Sequence, residues 1–152
     1  MNTTALMTEN NNMNLISTHI CKASNLGVAG NLFGGTMLSW LDEAGAAFAA
    51  QFCDTPRMVT VKMAETHFKK PVRQGHLIKI YGKIASVGTC SVTILLEARR
   101  HSVYNGTQRI VCTTELTFVR VDGDGEAIPI GEKVQNKFNL VLGEQNEQKS
   151  KR

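Results

Sequence analysis

The sequence predicts an α+β domain in which one long central helix is wrapped by a curved antiparallel sheet. Two observations carry that prediction. The stretch "GGTMLSWLDEAGAAFAAQF", Gly34 to Phe52, is an uninterrupted helical segment that is apolar or small on nearly every side. Four long runs rich in β-branched residues then follow, joined by short connectors, which favours antiparallel neighbours. A chain of 152 residues with 42% hydrophobic and 20% charged residues is long and apolar enough to build one real core.

The elements follow in order. Residues 1–13 are polar and Asn-rich and read as a loose N-terminal arm. "LISTHI", Leu15 to Ile20, alternates apolar and polar residues as a half-buried strand does. "KASNLGVAGN" is a Gly- and Asn-rich loop leading to the helix, and Pro56 in "DTPR" stops that helix. The four runs cover Arg57 to Phe68, His76 to Val87, Thr89 to Val103 and Thr107 to Asp122. "YNG" before the last run is a hairpin signal, because Asn105 and Gly106 both tolerate the positive φ of a type I′ turn. The short links make the four runs an antiparallel meander. The domain closes near residue 124, and residues 125–152 form an extension with a weak helix in "KVQNKFNLVLGEQ" and a charged tail. A sheet of this kind leaves an edge or face to cover, which predicts dimerisation.

Composition excludes several functions. The net charge is +4 and the pI about 9.0, but part of the excess is Lys149, Lys151 and Arg152, and no basic stripe alternates with aromatics, so nucleic acid is not an expected partner. Four cysteines without a C-x-x-C pair read as buried thiols in a reducing compartment. The N-terminus has no basic segment followed by an apolar one, which makes a cytoplasmic location the expectation. Asp42-Glu43 in the middle of the long helix, among many Gly and Ala residues, argues against membrane insertion. The four histidines are scattered without metal-ligand spacing, so no metal is expected. "DGDGEAIPIGEK" fails as a calcium loop, since Ala127 and Lys133 stand where glycine and glutamate are required. There is no G-x-S-x-G elbow, and "GVAGNLFGGT" lacks the G-K-[ST] of a phosphate loop.

What remains is chemistry around the helix start. By helical spacing Asp42 shares its side with Leu38, Gly45, Ala46 and Ala49, and a carboxylate there calls for a partner, a subunit interface or a function. Gly34 and Gly35 open the helix, where amides lacking internal partners favour negative charge and a ligand can approach the backbone. Close helix-to-sheet packing would also explain these two glycines. Asn31 just ahead adds a side-chain amide, and on spacing alone it reads best as a cap or turn residue. Together these groups make a set suited to attack on an acyl carbonyl. Lys69, Lys70 and Arg73 in "HFKKPVRQGH", and the adjacent Arg99-Arg100, read either as solvated charges or as holders of phosphate groups. "SVGTCSV" with Gly88, Thr89 and Ser91 offers amides and hydroxyls to the same end, or forms a plain tight turn.

Two blocks then resemble a known family. "NLGVAGNLFGGTMLSWLDEAGA" and "RMVTVKMAETHFKKPVRQGHLIKIYGKIASVGTCSV" are similar to the hotdog-fold acyl-coenzyme A thioesterases of the ACOT/YciA type, and the likeness spans roughly residues 14–122. The resemblance implies a hotdog fold that pairs into a double-hotdog dimer and assembles further, as a trimer of dimers, into hexamers. It implies hydrolysis of acyl-CoA to a free carboxylic acid and CoA, with no cofactor beyond the CoA that the substrate carries. It carries the catalytic Asn and carboxylate onto Asn31 and Asp42, contributed by different subunits, and a nearby hydroxyl onto Thr60. The chain departs at Gly75-His76, where members often have Gly-Asp. Ala47 stands where hotdog hydratases place histidine, which argues against that activity. The competing expectations are a non-catalytic hotdog that senses acyl-CoA and a purely structural protein. No DNA-binding segment accompanies the domain to favour the sensor.

Overall fold

The structure is a computed structural model, and it describes residues 12–151. Five strands form one antiparallel sheet: β1 (Asn14–Ile20), β2 (Met58–Phe68), β3 (Leu77–Val87), β4 (Ser91–His101) and β5 (Gln108–Arg120). Helix α1 (Gly34–Cys53) lies against one face of it, and α2 (Glu132–Ser150) follows the last strand. A single 3₁₀ turn at Ala23–Asn25 lies in the loop before α1. Most of the N-terminal arm read from the sequence falls outside the described residues. The weak C-terminal helix is longer than expected, because the charged tail continues it to Ser150.

The strand order is β1-β3-β4-β5-β2, so the meander holds only for β3, β4 and β5. β2 does not pair with β3. It crosses to the far edge and pairs with β5. The link of residues 69–76 reaches that far: eight extended residues span about 26 Å, whereas crossing three strand spacings takes about 14 Å. The amides of Lys69 and Lys70 both donate to the Val111 carbonyl, and the Leu32 amide donates to the Val72 carbonyl, which fixes the link across the sheet's end.

Strand alternation builds the core. Ile78 and Ile80 of β3, Val92, Ile94, Leu96 and Ala98 of β4, and Leu116 and Phe118 of β5 are all buried beneath α1. From α1 the buried residues are Met37, Leu41, Ala44, Gly45, Ala49 and Cys53. Gly45 is required for close approach. A Cβ there would lie 3.0 Å from Phe118 and 3.1 Å from both Leu116 and Leu96. The helix ends where Asp54 turns left-handed (φ 54) and its amide returns to the Ala50 carbonyl.

The helix is not buried on every side, as its composition suggested. Gly35, Ser39, Glu43, Ala47 and Gln51 form an exposed stripe at four-residue spacing. Leu38, Asp42 and Ala46 are half-buried. β2 is likewise uncovered. Val59, Val61, Met63 and Phe68 are exposed, and the register slips twice along this strand, between Thr60 and Lys62 and between Ala64 and His67.

Candidate active site

The loop before α1 is a small, closed construction. The Gly27 amide donates to the Asn31 carbonyl, and the Gly30 amide donates to the Gly27 carbonyl, with Gly30 at φ +77. Leu26 and Leu32 bridge across its neck. This holds the Asn31 backbone while its side chain, half-buried, meets no hydrogen-bond partner among the described residues. Asn31 is not the helix cap. Phe33 occupies that position and offers no side-chain hydrogen bond.

The first helical amides are therefore open. Thr36 and Met37 donate to the Phe33 carbonyl, but the amides of Gly34 and Gly35 find no acceptor among the described residues. Gly35 is exposed, and a Cβ on it would press to 2.9 Å from the Phe33 ring. The glycine that serves helix-on-sheet packing is Gly45, not this pair.

Two turns on, the Thr60 hydroxyl donates to Asp42 Oδ1 at 2.6 Å. That distance is in the range of a charge-assisted O–H···O⁻ bond. The edge strand thus supplies the carboxylate's partner, and the second oxygen has none among the described residues. Glu43 is exposed, as its position on the helix predicts. It lies near His19, whose ring stacks on Trp40 at 4.6 Å; burial lowers the His19 pKa and the Glu43 charge opposes that shift.

Asn31 and Asp42 of one chain do not converge. Helix rise puts Asp42 about 12 Å along α1 from Gly34. An apolar cavity of about 290 Å³ abuts the helix start, lined by Leu32, Gly34, Met37, Phe68, Val72 and Val111, with Lys69, Lys70 and Pro71 at its rim.

The structure separates the two groups of phosphate-binding candidates. Lys69, Lys70 and Arg73 lie before β3, while Gly88, Thr89 and Ser91 lie beyond its far end, about 36 Å away along an eleven-residue strand. The Gly88 turn closes on itself, its amide donating to the Ser91 carbonyl. The C-terminal extension also takes up its carbonyls: Gln135 donates to Gly88 and the Ile130 amide to Thr89. Arg99 is committed elsewhere, paired with Glu97 at 2.8 Å and stacked over Tyr81. Arg109 carries no signal of its own in the sequence, and His76 stands there only as one of four scattered histidines. Strand register sets Arg109 opposite Arg100, and the link before β3 brings Lys70, Arg73 and His76 to the same cavity.

Among the described residues no three His, Cys, Asp or Glu side chains gather as a metal site, and no helix is long and apolar enough to cross a membrane.

Residues 29–107, about half of the chain, match the family model of the Thioesterase superfamily. The chain belongs to the thioesterase superfamily. The acyl-CoA thioester hydrolase YciA of Escherichia coli (strain K12) is 33% identical over 106 residues, 66% of this chain and 80% of that protein. Cj0915 of Campylobacter jejuni, described as a hexameric hotdog fold thioesterase, is 33% identical and superposes with a TM-score of 0.69, covering 80% of this chain and 93% of that one. HI0827, described as a hexameric broad specificity acyl-coenzyme A thioesterase, superposes with a TM-score of 0.74 at 28% identity, covering 85% of this chain and 88% of that one. The sheet and helix of the present thioesterase are a hotdog fold, as the two sequence blocks imply.

Proposed function

We propose that this thioesterase hydrolyses acyl-CoA to a free carboxylic acid and coenzyme A, with Asp42 as the catalytic carboxylate. The observation that carries the reading is the Thr60–Asp42 hydrogen bond, which holds one carboxylate oxygen and leaves the other without a hydrogen-bond partner among the described residues. The acyl-CoA thioester hydrolases to which the chain is similar support the substrate class.

In this reading the thioester carbonyl accepts from the Gly35 amide at the helix start, where the helix dipole favours the developing oxyanion. Asp42 takes a proton from water, the water oxygen bonds to the acyl carbon, and the C–S bond breaks. The sulfur leaves as CoA thiolate and is protonated. The alternative is direct attack by Asp42 to form an anhydride that water then opens. A single turnover in ¹⁸O-water tests for the anhydride: label found in Asp42 requires an anhydride opened at the Asp42 carbonyl, whereas the base route labels the acid alone. No cofactor takes part beyond the CoA in the substrate.

One chain supplies half of this site. Gly35 and Asp42 lie on the same helix about ten ångströms apart, so the carboxylate belongs to one subunit and the amide, with Asn31, to its partner. The uncovered β2 and the half-buried Leu38–Asp42–Ala46 face are the surfaces for that pairing, and three such dimers would make a hexamer. Release of free thiol from a panel of acyl-CoA esters tests the activity. Turnover that persists in a folded Asp42→Ala variant would remove Asp42 from the scheme, and an Asn31→Ala variant with unchanged kcat would return Asn31 to a turn residue.

A further inference from the structure

β1 pairs with β3 only as far as Asn14 opposite Gly82, so beyond Gly82 that edge of β3 has no strand beside it among the described residues. α2 borders the gap instead. Its Lys137, Val141 and Gln145 recur at four-residue spacing and so share one side of the helix. With Phe48 and Phe52 of α1 and Ile84 of β3 they line a cavity of about 350 Å³. Helix rise puts Phe52 about 27 Å along α1 from Gly34, and the cavity shares no lining residue with the one at the helix start.

Its lining has two characters. Phe48, Phe52 and Ile84 pack on the core yet are only partly buried, and Val141 is 37% exposed. The chain leaves their apolar surface incompletely covered. The polar part is cationic or amide, with Lys83 and Lys137 near Asn14, Gln51 and Gln145, and no carboxylate lines it. The two lysines differ. Lys137 Nζ is held on the Phe52 carbonyl at 2.7 Å and lies 3.4 Å from Asp54 Oδ2. Lys83 is half-buried and has no hydrogen-bond or carboxylate partner among the described residues. A half-buried ammonium without an acceptor favours an anion beside it, and the apolar lining favours a tail on that anion.

We propose that this cavity is a second binding site, which takes a monocarboxylate with a medium-length apolar tail. The tail lies against Phe48, Phe52, Ile84 and Val141, and the carboxylate accepts from Lys83. At about 30 Å³ for each water-sized group the cavity holds roughly a dozen such groups, enough for a carboxylic acid of about eight carbons. Such an acid is of the class that the proposed hydrolysis releases, but the site is built from residues which that reaction does not use.

The test uses the full-length protein with octanoate as the probe. Calorimetry compares octanoate with octanol, which lacks the charge, and NMR follows the side-chain amides of Gln51 and Gln145. Turnover enters neither reading, so failure of the proposed hydrolysis leaves both intact. Octanoate should bind at least tenfold more tightly than octanol, and affinity should rise about fourfold per methylene from butanoate to octanoate. The Gln51 and Gln145 signals should shift, and saturating CoA should leave those shifts in place. Lys83→Gln should weaken octanoate binding about tenfold and Lys83→Arg should restore most of it, with octanol affinity equal in all three proteins. Val141→Trp, which fills the cavity from α2, should abolish the shifts while circular dichroism shows the fold retained. Octanol bound as tightly as octanoate, or octanoate affinity indifferent to Lys83, would overturn the proposal. Octanoate binding that CoA displaces and that leaves Gln51 and Gln145 silent would assign the acid to the helix-start cavity and overturn it as well. Absence of octanoate binding overturns it outright, and a smaller sedimenting mass for Val141→Trp would then give the cavity to an interface between copies of the chain.

Discussion

Replacing Thr60 by valine removes one hydroxyl and leaves the side-chain shape almost intact. In the native chain that hydroxyl donates to Asp42 Oδ1 at 2.6 Å, and the carboxylate has no other hydrogen-bond partner among the described residues. A hydrogen bond to a charged group contributes roughly 1.5–3 kcal/mol when desolvated. Thr60 is exposed and Asp42 only half-buried, so solvent screening reduces this to about 1 kcal/mol. If the bond orients the carboxylate for proton abstraction, its loss lowers kcat about fivefold and leaves KM in place. Thr60→Ser keeps the donor and restores most of the rate. The assay is steady-state thiol release from one acyl-CoA ester with native, Val and Ser enzymes, with denaturant midpoints measured alongside to confirm equal stability. A valine variant within twofold of native kcat would show that Thr60 does not position Asp42. A serine variant as slow as valine would point to packing by the methyl group.

Four further outcomes follow from the packing, the thiols and the edge strand. Gly45→Val places methyl groups against Phe118, Leu116 and Leu96, which already stand 3.0–3.1 Å from a single added Cβ; overpacking should cost about 1–3 kcal/mol, read as a lower denaturant midpoint with unchanged slope. Cys112 is fully buried, and burial pushes its thiol from an ordinary 9.0 to about 11; Ellman's reagent at pH 8 should reach half-buried Cys90 in the native protein and Cys112 only after unfolding. The folded value lies above the unfolded one, so the stabilisation from keeping Cys112 neutral is intact below about pH 9 and is lost as the pH climbs through 11. Val59→Glu/Val61→Glu puts charges on the exposed apolar edge strand and should reduce the sedimenting mass and abolish turnover together; reduced mass with native turnover would detach the active site from this edge.

The helix and most of the strands were legible because their signals are local. β-branched alternation in β3, β4 and β5 and the Pro stop after α1 each depend on a few adjacent residues. The place of β2 was not. A short link is compatible with pairing to the next strand, and only the hydrogen bonds of Lys69, Lys70 and Leu32 commit this one to crossing the sheet's end. The length of α2 was obscured for a related reason. It is polar over most of its surface, and it is held by a few anchors near its start, among them Val134 in the core, Gln135 on the Gly88 carbonyl and Lys137 Nζ on the Phe52 carbonyl at 2.7 Å. At the site, Asp42 stood out because a carboxylate among small apolar residues is anomalous in any helix. Arg109 did not, because an arginine in a strand looks solvated until register sets it opposite Arg100.

The two uncovered surfaces explain why a carboxylate persists in this helix. α1 buries the face that meets β3, β4 and β5, where its residues are small or apolar. Asp42 lies just outside that face, over the last strand of the sheet, where Thr60 can reach it and no further strand follows. Deep in the core the charge would carry a desolvation cost of several kcal/mol. On the exposed stripe with Glu43 it would be solvated and unaimed. At the boundary one oxygen is held and the other remains available, and neighbouring Leu38 and Ala46 supply apolar surface for a second copy to cover. The same feature that leaves the isolated chain with half-buried apolar residues therefore sets the proposed catalytic carboxylate at a surface that a second copy would cover. Stability of the assembly and construction of the proposed site become one requirement, and a substitution that frees the edge should remove both.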